Sequence, residues 1–301
     1  MAIKNRKFNN TNLYGTDYYE VRKFLIELNN PNYHFGRWDW MISHSYLEKG
    51  NLSKIGIWED DGKIIGFATF DTTVDGNSFL LLKPGYDFLR KAMIEYAEEN
   101  LSSEGHVKIL IQDNDIVFQN EASKLGYIPS QHKDLDSIFS IENGNLEYKL
   151  PDGFSMTSMK DTYDIYQYGR ILWKGFNHEI DGEGKYSPTS EMLETYRKEF
   201  ERPNVNPYLK IAVLNKEGNF VSYCGMWYDD KSDYALVEPV ATDPEYRKLG
   251  LGKCAVLEAI RRCKELGATK VYVGSSQQFY YNIGFRPSIT STMWVKKEKN
   301  K

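Results

Sequence analysis

The chain has 301 residues, 41% of them hydrophobic and 27% charged, with a formal net charge of −4. That length fits two domains of ordinary size, and the slightly acidic balance gives no electrostatic case for nucleic acid. No apolar run approaches the roughly 20 residues of a membrane span, and Met1–Lys7 lacks the apolar core of a secretion signal, so no membrane association and a cytoplasmic setting are expected.

Taken in chain order, Ile57–Ala68 reads as strand, tight turn at Asp61-Gly62 and strand. Ser78–Leu82 is a strand followed by Lys83-Pro84-Gly85 and a helix from Leu89 to Asn100. Lys108–Ile111 is a short strand, and Leu125-Gly-Tyr-Ile-Pro-Ser130 follows. The same signals return in the same order roughly 160 residues later: a hairpin around Gly218, a strand at Lys270–Val273, and Ile283-Gly-Phe-Arg-Pro-Ser288. Three ordered matches argue for two copies of one fold, against the alternative of chance likeness between hairpins. The boundary is expected near Asn143-Gly144-Asn145, giving domains 1–145 and 146–301.

The second copy carries the chemistry-bearing stretch. A β-prone run, Tyr234–Thr242, ends at the turn dipeptide Asp243-Pro244, and Arg247, Lys248, Leu249, Gly250, Leu251 and Gly252 follow. Lys253–Leu266 is then an amphipathic helix with Val256, Leu257, Ile260 and Cys263 at helical spacing and Gly267 as its C-terminal cap. The first amides of a helix lack internal partners, and its dipole is positive at that end, so this turn suits a phosphate. Its glycines allow close approach, and Arg247 adds a positive charge. On these residues alone, a strand–helix turn without a ligand stays open. A Walker loop does not fit, because Lys253-Cys254 follow Gly252, and no repeated βαβ units surround the motif to support a Rossmann turn.

Gln278-Phe-Tyr-Tyr-Asn-Ile-Gly-Phe285 adds a short helix after the strand Lys270–Gly274. Arg-x-x-Gly-x-Gly, helix, strand and Phe-Tyr-x-x-x-Gly-Phe together resemble the GNAT superfamily of acetyl-CoA-dependent acyltransferases over about Tyr208–Phe285. Ser275-Ser276 departs from the asparagine of many members. The resemblance implies an α+β or α/β chain of two GNAT-like domains, each a mixed, mostly antiparallel twisted sheet flanked by helices. It implies direct acetyl transfer from acetyl-CoA, a cosubstrate, to an amine. The pantetheine arm would pair with Val240, Ala241 and Thr242, and the diphosphate would lie on Arg247–Lys253. Pro239 marks a bulge or an unpaired edge in that strand. Tyr280 stands where the family places its general acid, and Asn282 is a further coenzyme contact. Glu238, expected to share a face with Val240, is the candidate base, against the plainer reading of a surface carboxylate.

The acceptor region is the glycine-punctuated loop 175–184, with Trp173 and Phe176 as an apolar wall and His178 and Glu179 as polar contacts. Glu179, Asp181 and Glu183 favour a cationic amine, a small molecule ahead of a peptide; an ordinary polar loop is the competing reading. The first copy has no Arg-x-x-Gly-x-Gly, and Pro84 removes an amide where a pyrophosphate needs one, so it is expected to be degenerate. A non-catalytic acyl-CoA sensor is the rival of another class. Five scattered histidines give no metal-ligand spacing, so no metal is expected, and Cys224, Cys254 and Cys263 read as reduced core residues.

Overall fold

The computed structural model describes residues 3–44 and 47–297. By contacts the chain divides into two compact units, 1–136 with 288–301, and 137–287.

The first unit runs β1 (Lys4–Lys7), α1 (Thr16–Leu28), α2 (Phe35–Ser43), β2 (Gly56–Asp60), β3 (Lys63–Thr69), β4 (Asn77–Leu82), α3 (Arg90–Asn100), β5 (Lys108–Gln112), α4 (Ile116–Lys124) and β6 (Tyr127–Ser140). The order then repeats as β7 (Ser155–Ser158), α5 (Ile165–Gly175), α6 (Ser190–Phe200), β8 (Lys210–Leu214), β9 (Phe220–Tyr228), β10 (Tyr234–Thr242), α7 (Leu251–Leu266), β11 (Lys270–Val273), α8 (Gln278–Ile283) and β12 (Arg286–Lys296). Asp61 and Gly62, both left-handed, make the two-residue turn between β2 and β3, as such a hairpin requires. Asp115, Asp164 and Thr189 accept from the backbone N–H groups that open α4, α5 and α6.

In both units the first parallel pairing follows the crossover helix: β4 pairs with β5, and β10 with β11. Each unit also contains one pairing with a strand from the other half of the sequence. β5 pairs with β12 at Ser291–Val295, and β11 pairs with the end of β6 at Ser137–Ser140. The division therefore falls inside strands β6 and β12, whereas the expected boundary at Asn143–Asn145 lies in the loop after β6. A linker-like Asn-Gly-Asn is a local signal; the choice of strand partner is not.

Within the second unit, one sheet face carries Cys224, Met226 and Val237 against Leu251, Ala255, Ala259 and Ile260 of α7 and Tyr280 of α8. The opposite face carries Ala212, Tyr223 and Ala241 against Ile165, Tyr168 and Ile171 of α5 and Phe200 of α6. These buried side chains, each worth roughly 1.5–3 kcal/mol when large and apolar, fix β9 and β10 between the helices that bear the candidate site.

Candidate active site

β10 is bound to β11 only at Tyr234–Leu236, opposite Lys270–Tyr272, and then continues to Thr242 along β9 alone. Beyond Leu236 the pairing of the two parallel strands ends, and Val240, Ala241 and Thr242 pair with β9 alone among the described residues. The register with β9 slips between Val237 and Val240, so Glu238 and Pro239 form a bulge opposite Gly225. A Cβ on Gly225 would meet the Glu238 carbonyl oxygen at 2.6 Å and Pro239 Cδ at 3.0 Å. The bulge corrects one expectation: Val237 and Val240 oppose Met226 and Cys224, so Val240 shares its face with Val237 and not with Glu238.

β10 leads through Asp243 into the turn. Asp243 is fully buried; one oxygen accepts from Glu245 N at 3.1 Å, and the other lies 2.6 Å from Lys174 Nζ. Arg247, Lys248, Leu249 and Gly250 are exposed, and Lys248 and Gly250 are left-handed at φ 65 and 81. The first helical bond of α7 is Cys254 N to Gly250 O, at 3.0 Å. The amides of Leu251, Gly252 and Lys253 thus precede the internal ladder, where the helix dipole favours an anion. Gly252 is buried: a Cβ there would lie 3.1 Å from Thr242 Oγ1 and 3.3 Å from the Phe279 ring. Its lack of a side chain therefore serves packing as well as the turn.

Arg247 is placed otherwise than a simple phosphate ligand. Its Nη2 donates to Gly175 O at 2.8 Å and Asn177 Oδ1 at 2.6 Å, and its Nε to Thr242 O at 3.2 Å. The guanidinium ties the end of α5 to the end of β10. Gly175 and Asn177 stand about seventy residues upstream, and nothing local to the motif announces them.

Tyr280 on α8 is buried in the same face as Cys224 and Val237. Burial pushes its phenol well above the ordinary tyrosine range, and Cys224 and Glu238 push it further. Tyr280 and Glu238 thus feel each other electrostatically, and the phenol keeps its proton at neutral pH, as a proton donor requires. The Cys224 thiol is pushed up to about 12 by burial, which leaves it a core residue and not a nucleophile. Asn282 is exposed and accepts from Gln278 Nε2 at 2.9 Å.

Of the four residues expected on the acceptor side, Trp173 lies in the last turn of α5, and Phe176, His178 and Glu179 follow it. Trp173 stacks on His178 at 4.4 Å, and its Nε1 donates to Gly184 O at 3.0 Å. His178 Nδ1 lies 2.7 Å from Glu183 Oε1, and Glu179 Oε1 accepts from Tyr186 N at 3.1 Å. Glu179 and Glu183 therefore hold the loop together, while Phe176 stands 49% exposed. Sequence reasoning missed Gly175, where a Cβ would meet Ala241 Cβ at 2.6 Å and Thr242 N at 2.9 Å, so only glycine lets α5 touch β10 here. Among the described residues no group of three or more His, Cys, Asp or Glu is arranged to hold a metal, and no helix is long and apolar enough to cross a membrane.

Residues 171–285 match the model of the Acetyltransferase (GNAT) family, so the chain carries a GNAT acetyltransferase domain. A curated relative, the "Putative [ribosomal protein bS18]-alanine N-acetyltransferase" of Bacillus subtilis (strain 168), is 32% identical over 88 residues, 27% of this chain. The matched span is 57% of that relative's length. Among solved structures, a GCN5-related N-acetyltransferase from Sphaerobacter thermophilus superposes at a TM-score of 0.60 with 13% identity, over 98% of this chain and 95% of that one. A tandem GNAT protein from the clavulanic acid biosynthesis pathway gives 0.60 with 11% identity, over 99% and 100%. Both show the fold across the two copies.

Proposed function

We propose that the second unit transfers an acetyl group from acetyl-CoA directly to an amine. The observation that carries this reading is the end of the pairing between β10 and β11 beyond Leu236, with the turn and the opening of α7 immediately downstream of that edge. In this reading pantetheine runs along Val240, Ala241 and Thr242 as an added strand. The diphosphate takes the amides of Leu251, Gly252 and Lys253, beside Arg247, Lys248, Leu249 and Gly250, and Asn282 is a further contact. Tyr280 returns a proton to the departing thiolate, and Glu238 draws one from the amine, directly or through a water. Trp173, Phe176, His178 and Glu179 border the acceptor, for which we favour a small cationic amine.

A second reading, a peptide amine, is favoured by the Bacillus subtilis relative, which is named as an alanine N-acetyltransferase of a ribosomal protein. The three cysteines are free and buried, which accords with a cytoplasmic setting. The test is thiol release from acetyl-CoA with diamines, amino sugars, amino acids and a peptide beginning with alanine. Turnover with a small amine supports the first reading, and turnover with the peptide alone supports the second. Coenzyme binding with no turnover on any acceptor points to a sensor module, and no coenzyme binding at all sinks the proposal.

A further inference from the structure

We propose that Arg247 is a positioning residue for the acceptor loop, coupling the order of residues 177–186 to occupation of the cofactor turn; this rests on the acetyl-CoA reading above. The last carbonyls of a helix have no internal partners, and that end of the dipole favours a cation. At the end of α5, Arg247 supplies both, donating from Nη2 to Gly175 O and to Asn177 Oδ1. Asn177 is left-handed at φ 72 and starts the loop. From there the loop closes on itself: Asp181 N donates to Asn177 O at 2.8 Å, and Glu183 N to His178 O at 2.9 Å. Glu179 then holds Tyr186 N, so bonds from Asn177, His178 and Glu179 at the foot of the loop tie its two ends together.

A guanidinium has five N–H donors. Three of those on Arg247 are spent on Thr242, Gly175 and Asn177, and the Nη1 pair bonds to no described residue. The residue is exposed and opens the Arg-x-x-Gly-x-Gly turn. A diphosphate on the turn can take the Nη1 edge while the other three bonds stay in place. Fixing the planar group from both sides removes freedom that the side chain otherwise keeps, so anion binding tightens the loop. By linkage an ordered loop then favours the anion equally. Lysine at this position keeps the charge but has no fork to span three acceptors.

The experiment measures amide hydrogen exchange in residues 177–186 of the full chain with and without coenzyme A, and coenzyme A affinity by calorimetry. Wild type, Arg247→Lys and Asn177→Gly are compared; glycine keeps the left-handed backbone and removes only the accepting amide. Coenzyme A is expected to slow exchange in wild type by a factor within the usual coupling range of roughly 5–150. Both variants are expected to lose most of that slowing while still binding coenzyme A. The inference is overturned if wild type binds coenzyme A with unchanged or faster exchange in the loop, or if Arg247→Lys keeps the full slowing. Absence of any coenzyme heat in wild type sinks the acetyl-CoA reading itself. The loop's dependence on Arg247 is then judged from ligand-free exchange, which Arg247→Lys must speed for the brace to stand.

Discussion

Gly225 faces the Glu238–Pro239 bulge so closely that no side chain fits between them: the added Cβ would stand 2.6 Å from the Glu238 carbonyl oxygen. The obstacle is backbone and cannot rotate away. Gly225→Ala is expected to flatten or displace the bulge at a cost of about 1–3 kcal/mol, the range of an overpacked core. Thermal unfolding should show a drop of several degrees. Acetyl transfer should fall by more than the stability loss explains, because Glu238 and the edge at Val240 move together. A variant with wild-type turnover would show that the bulge is dispensable to the chemistry.

Tyr280→Phe keeps the ring packed and removes the proton. A positioned acid contributes typically about 10²–10⁴-fold, so kcat should fall at least a hundredfold with little change in the acetyl-CoA KM. Burial, Cys224 and Glu238 all hold the phenol in its protonated form. The acid is therefore present below its raised pKa, through the whole neutral range, and any loss of activity between pH 7 and 9 should persist unchanged in the variant's residual rate. A loss below threefold in single-turnover kinetics would assign the role elsewhere.

Much of this site is legible in the chain itself, because its signals are local. Gly250 needs its left-handed backbone, Gly267 caps α7, and the Asp61-Gly62 turn fixes one hairpin. The doubled fold is legible for the same reason, since the hairpin turns at Gly62 and Gly218 and the segments Leu125–Ser130 and Ile283–Ser288 recur in order. The pairing of β12 with β5 and of β6 with β11 is not, because local sequence marks a strand without naming its distant partner. Nor are Gly175, Gly225 and the bonds of Arg247. Each depends on an approach between segments far apart in sequence, and a glycine that leaves room for a distant backbone looks like any other glycine. The shared face expected of Glu238 and Val240 fails because alternation holds only in an unbulged strand.

Glu258 on α7 provides a handle on stability that is separate from the chemistry. Burial opposes its ionisation, but hydrogen bonds from Arg261, Arg262 and Tyr148 outweigh that and hold the carboxyl at about 2, against 4.5 ordinarily. A depressed carboxylate stabilises the fold above its unfolded pKa, and that contribution is lost as pH falls from about 4.5 toward 2. At about 1.4 kcal/mol per tenfold in proton affinity, it amounts to at most roughly 3 kcal/mol. Glu258→Gln should lower stability at pH 7 and flatten its decline between pH 5 and 3 in denaturant titrations. Parallel acid profiles for the two proteins would show that the network is energetically idle.

Each chain is expected to bind a single coenzyme A, although the fold occurs twice. In the second unit the amides of Leu251–Lys253 open α7, with Lys248 and Lys253 exposed beside them. The corresponding turn of the first unit offers little. Lys83 N already donates to Ile65 O at 2.8 Å, Lys83 Nζ pairs with Glu27 at 2.8 Å, and Pro84 has no N–H to give. Asp87 stands just ahead of α3 and pairs with Arg90 at 2.9 Å, so a carboxylate already occupies the helix end that an anion would seek. Charge-assisted hydrogen bonds contribute roughly 1.5–3 kcal/mol each, and losing several of them outweighs what pairing along a β-strand edge recovers. Calorimetry should therefore saturate near one equivalent. Gly252→Val should weaken that equivalent, since the added side chain displaces Phe279 and crowds Thr242 beside the turn. The fold should lose some stability as well, because Gly252 is buried. A second equivalent that survives Gly252→Val and disappears in Lys83→Glu would show that the first unit is a working cofactor site.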